Sequence, residues 1–103
     1  MTTYLYHTKI TSNDTADLGY NTYLIDATNN NVTLTLPVIM GDGISFLITR
    51  IDTNNPNTNT VTIACDGSDT FSDSQTTCDL LQYQSVLILS DGTTWYFMYK
   101  AVF

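Results

Sequence analysis

The chain reads as an all-β protein, and the fold it predicts is a compact antiparallel β-sandwich of jelly-roll type. Three observations carry that expectation. Helix formers are scarce: alanine occurs four times and glutamate not at all, whereas Thr, Asn, Val, Ile and Tyr are plentiful. That composition suits pleated strands joined by Asn, Asp and Gly turns. Turn signals recur roughly every ten residues, the spacing of short strands in a sandwich or small barrel. Finally, Ser85 to Tyr99 holds two apolar runs around Asp91-Gly92, a residue pair typical of tight hairpins.

Taken in order, Tyr4 to Thr11 alternates loosely and predicts an edge strand, and Ser12 to Gly19 predicts a loop. Asn21 to Ala27 reads as a strand and Thr28 to Asn31 as a turn. Val32-Thr33-Leu34-Thr35-Leu36 alternates strictly, with Val32, Leu34 and Leu36 facing a core and the threonines facing out. Pro37 ends it, since proline cannot donate to a ladder. After the Gly41-Asp42-Gly43 turn, Ile44 to Asp52 is apolar on both faces and predicts a central strand. Thr53 to Thr60 is a polar loop, Val61 to Cys65 a short strand, and Asp66 to Asp69 a turn. Thr70 to Thr77 is polar except for Phe71, and Cys78 to Tyr83 leads into the hairpin.

If Asp91 and Gly92 form a type I′ turn, Ser90 pairs with Thr93, Ile88 with Trp95 and Val86 with Phe97. Val86, Ile88, Trp95 and Phe97 then share one face, and Leu87, Leu89, Tyr96 and Met98 the other. Each large side chain is worth ~1.5–3 kcal/mol when buried, so four come to roughly 6–12 kcal/mol. That rivals the ~5–15 kcal/mol net stability of a whole domain. One face serves the core; the second needs another layer or another subunit.

At 103 residues the chain makes one domain. Ten aspartates face only Lys9, Arg50 and Lys100, for a net charge of −7. Three basic residues cannot build a phosphate-binding surface, which excludes nucleic acid as a partner. No apolar run approaches the ~20 residues of a membrane span, so no membrane insertion is expected. The N-terminus shows no signal peptide; a fragment of a longer chain with an added Met is the preferred reading. Cys65 and Cys78 lack the His/Cys company of a zinc site. They flank a polar loop, either as free thiols or as a disulfide across a hairpin.

The ordered set Tyr23-Leu24-Ile25-Asp26-Ala27-Thr28, Val32 to Pro37, Ile48 to Asp52, Asn59 to Ile63, Asp66 to Phe71, Gln84-Ser85-Val86 and Ser90 to Tyr96 resembles a known pattern. It is similar to the small β-rich C-terminal head domains of phage tail-fibre proteins and of collagen-like proteins from large DNA viruses and bacteria. The likeness covers about residues 20–98. It implies a globular, non-enzymatic tip on a fibre, a homotrimer at a virion surface or in an extracellular setting, and contact with a cell-surface glycan or receptor. It implies no catalytic residues, metal or cofactor. On this view residues 1–19 are a lead-in segment and 20–103 the head domain. The face expected to meet a partner chain is Leu87, Leu89, Tyr96 and Met98, with Val86, Ile88, Trp95 and Phe97 as the competing assignment.

Other candidates are weaker. Asp66, Asp69 and Asp73 crowd one loop, and calcium takes several oxygen ligands. The EF-hand pattern is absent, however, and Asp is the ordinary turn residue. His7, the only histidine, has no nucleophile motif to serve, and no pair of carboxylates stands out for glycoside hydrolysis. Trp95 and the tyrosines, with Tyr4, Tyr6 and Tyr20 the freest, could stack on sugars, but Trp95 at strand spacing opposite Ile88 reads first as a core or subunit-interface aromatic. Sugar stacking supports a rival, a monomeric carbohydrate-binding module. Asn13-Asp14-Thr15 and Asn31-Val32-Thr33 match the N-glycosylation pattern, as expected by chance in such a chain.

Overall fold

The computed structural model describes residues 6–102, so the expected strand residue Tyr4 lies outside the described residues. The chain is all-β. Its strands are β1 (His7–Ile10), β2 (Asp14–Thr15), β3 (Thr22–Ile25), β4 (Val32–Thr35), β5 (Asp42–Arg50), β6 (Val61–Ala64), β7 (Thr77–Leu80), β8 (Gln84–Asp91) and β9 (Trp95–Val102). They form a five-stranded sheet in the order β1-β3-β5-β8-β9 and a four-stranded sheet in the order β2-β4-β6-β7.

The sheets are mixed rather than antiparallel, which corrects the sequence expectation. From β1 to β6 the chain changes sheet after every strand, so successive strands of one sheet run the same way. The β1/β3, β3/β5, β2/β4 and β4/β6 pairs are all parallel. The last three strands reverse direction and add antiparallel pairs, β6/β7, β5/β8 and β8/β9. Alternation in a sequence reports which face a residue takes but not which way its strand runs.

The turns that follow β1, β3 and β5 are tied together by side chains. The Asn13 Oδ1 accepts the Thr33 amide at 2.8 Å, and the Asn31 Oδ1 accepts the Thr60 amide at 2.9 Å. Asn59 donates through Nδ2 to the Ala27 carbonyl at 2.8 Å. Asn13 and Asn31 thus anchor the following winding and Asn59 the preceding one, each through a short amide that reaches neighbouring backbone.

The core lies between the sheets. Ile10, Tyr23, Ile25, Phe46, Ile48, Val86, Ile88 and Trp95 come from one side, and Val32, Leu34, Val61, Ile63 and Leu80 from the other; all are buried. Its aromatic spine runs from Tyr23 to Phe46 to Trp95, with ring centroids 6.0 and 5.9 Å apart. Phe71 bridges to Trp95 and stacks on Phe97 at 4.8 Å. Such pairs add to burial through offset and edge contacts.

Candidate functional site: the outer face of the five-stranded sheet

The β8–β9 hairpin pairs Ser90 with Trp95, Leu89 with Tyr96 and Ile88 with Phe97. This differs from the expected pairing by two residues. A type I′ turn needs positive φ at both central residues, yet of Asp91 and Gly92 only Gly92 has it, at 98°. Asp91 builds a wider loop instead. Its Oδ1 accepts the Thr93 and Thr94 amides and the Thr93 hydroxyl, each at 2.9 Å. These bonds hold its carboxyl below the usual value. A shift of two residues preserves the faces, so Val86, Ile88 and Trp95 are buried and Phe97 is half-buried inside.

The opposite face looks outward. Leu87 and Leu89 are half-buried there, and Tyr96 and Met98 are exposed. Three further residues extend it beyond the set read from sequence. Leu47 of β5 pairs with Leu87, and Leu24 of β3 lies two strands from β8; both are half-buried. Tyr99, 63% exposed, joins them because the register slips at Met98, a β-bulge that turns Tyr99 from the inner to the outer side, opposite Leu87. Strict alternation places Tyr99 inside, and nothing in the sequence marks the bulge.

Most other candidates have structural occupations. Trp95 is wholly buried, which removes it as a sugar platform, and its Nε1 has no partner. His7 and Tyr6 are exposed on or beside the edge strand β1, and Tyr20 is exposed in the loop before β3. Asp73 accepts the Gln75 amide at 3.0 Å, as turn residues do, and Asp69 accepts the Ile39 amide at 2.8 Å from a loop thirty residues away. Among the described residues no group of three or more His, Cys, Asp or Glu is placed to hold a metal ion. Both potential glycosylation asparagines, Asn13 and Asn31, spend their side-chain oxygens on neighbouring backbone.

Cys65 and Cys78 are free thiols, half-buried against the core. Cys78 stands opposite Ile63, and the Cys65 amide bonds Thr76. Burial, helped by the charges of Asp69 and Asp73, pushes the Cys65 thiol up to about 11.

No protein-family model and no curated protein matches this chain.

A polar hub, missed in the sequence, lies under the 53–60 loop. Asp52 accepts from Arg50 Nε at 2.9 Å, the Ala27 amide at 3.2 Å, Asn57 at 2.7 Å and Gln82 at 3.1 Å. Burial opposes its ionisation, but these donors and the Arg50 charge outweigh that and hold its carboxyl below the ordinary value. Arg50 also donates to the Leu80 and Asn59 carbonyls, at 2.9 and 2.8 Å. A groove of about 370 Å³ opens beside it, lined by Asn59, Thr60, Asp79 and Gln82 among others. Each of the three guanidinium nitrogens already has a partner within the protein, so the hub serves to pin a loop.

Proposed function

We propose that this chain is a non-enzymatic head domain that caps a fibrous protein, assembles as a homotrimer and offers a surface for attachment to a host or partner. The observation that carries the proposal is the apolar outer face of the five-stranded sheet. Leu47, Leu87 and Leu89 sit there beside exposed Tyr96, Met98 and Tyr99. Exposed apolar side chains gathered on one face of a sheet point to an interaction site. Two further copies packed around a three-fold axis cover it, and closed symmetry keeps the assembly finite. The three-fold count, the fibre and the virion or extracellular setting rest on the sequence resemblance. The reversal of the last three strands also suits a cap, because it ends the parallel winding on one side.

Size-exclusion chromatography with light scattering tests the assembly. Wild-type protein at micromolar concentration should elute as a trimer, and Leu89→Lys should shift it toward monomer without loss of fold. A monomeric wild type would refute the trimer. A carbohydrate-binding module is the second reading, because Tyr96 and Tyr99 stand exposed on the same face. It gains if the protein is monomeric and binds glycans in a way that Tyr96→Ala or Tyr99→Ala abolishes.

A further inference from the structure

Two loops leave the four-stranded sheet side by side, residues 16–21 after β2 and 36–41 after β4. Thr15 pairs with Thr35, and the Ala16 amide donates to the Thr35 carbonyl at 2.7 Å. Between them these loops expose Leu18, Tyr20, Val38 and Met40, the last at 66%. The same end of the molecule carries the 65–76 and 91–94 loops. The Ile39 amide donates to Asp69, and the Ser90 hydroxyl donates to the Gly41 carbonyl at 3.1 Å. Asp17, Asp66, Asp69, Asp73 and Asp91 all lie in these loops or at their bases. The three basic residues lie elsewhere: Lys9 is 3.9 Å from Asp26, Arg50 is buried on Asp52, and Lys100 reaches the Asp79 carbonyl.

We infer that this apolar tip with its acidic rim docks a protein surface of complementary build, an apolar spot ringed by Lys or Arg. The inference gives the attachment half of the proposed function a location and a partner chemistry, and it does not depend on the trimer. Charge selects the occupant. A second copy of the tip would bring aspartates against aspartates, and anionic lipid headgroups meet the same repulsion. A basic rim is attracted and oriented while Leu18, Val38 and Met40 lose water.

The test uses an amphipathic leucine/lysine peptide as probe, with a serine/lysine peptide of equal charge, a leucine/glutamate peptide and phosphatidylcholine vesicles as controls. Binding is followed by fluorescence anisotropy. The leucine/lysine peptide should bind, more weakly as salt rises. Val38→Ser combined with Met40→Ser should weaken it roughly tenfold, whereas Leu81→Ser, an exposed apolar residue in the loop between β7 and β8, should not. Near-UV circular dichroism of Trp95 checks that each variant is folded. Equal binding of the serine/lysine peptide, no effect of the loop substitutions, or binding to vesicles but not to the peptide would overturn the inference. Light scattering on the same samples separates the two readings: loss of the trimer with peptide binding intact strikes only the trimer.

Discussion

Arg50 donates from Nε to Oδ1 of Asp52 at 2.9 Å, with both side chains almost wholly out of water. The pair lies two residues apart on one strand end, yet it joins segments far apart in the chain, through Ala27, Asn57, Asn59, Leu80 and Gln82. A buried ion pair is a weak source of net stability, but removing one partner strands the other charge. Asp52→Ala should therefore cost about 3–5 kcal/mol. Asp52→Asn should cost less, because an amide oxygen can still accept from Arg50 and Ala27. Urea unfolding followed by Trp95 fluorescence measures both, and equal stabilities of Asp52→Ala and wild type would show that the hub contributes nothing.

Acid should destabilise the protein through the same hub. Asp52, Asp26 and Asp91 all have carboxyls held below the ordinary value. A carboxyl depressed in the folded state adds stability above its unfolded value of about 3.9, and that stability is lost as pH falls through the lower folded value. Stability should be level from neutral pH to about pH 5 and decline below about pH 4. The decline should be shallower in Asp52→Asn, whose amide does not titrate. Urea midpoints across pH 2.5–7 in the two proteins would show this, and parallel curves would exclude Asp52 as a contributor.

The thiols should be slow to react. With Cys65 pushed up to about 11 from an ordinary 9.0, its thiolate population near pH 8 falls about a hundredfold. Burial raises Cys78 as well, with the Lys100 charge acting the other way. Iodoacetamide should label the folded protein far more slowly than the urea-unfolded protein, and both cysteines should then react. Mass spectrometry without reductant that found no free thiols would overturn this.

The sequence exposed faces well and directions poorly. Val32, Leu34 and Leu36 are buried, with Thr33 and Thr35 turned outward, as strict alternation requires. The two faces of the hairpin were also readable for residues 86–89 and 95–98, because the two-residue error in register left each of those side chains on its own side. The winding was not readable, because its spacing is irregular: His7 pairs with Thr22 and Thr22 with Leu47, while Asp14 pairs with Leu34 and Val32 with Val61. No fixed period links those intervals, so no repeat appears in the chain. The Asp52 hub escaped for a related reason: Gln82 lies thirty residues away, and its approach depends on the loop between. The outward turn of Tyr99 was not readable either, because the bulge that causes it has no local signature.

The alternating path from sheet to sheet also has a kinetic meaning. A strand in β1 to β5 meets no partner until the chain has passed through the opposite sheet and returned. Each parallel ladder therefore closes a long loop before its first hydrogen bond can form. Among the hydrogen-bonded strand pairs only β8 and β9 are joined by a short connection, so they are the natural place for structure to begin, on the ~1–10 μs scale of hairpins. The remainder must be gathered onto them from a distance, and refolding on the millisecond-to-second scale of non-local β proteins follows.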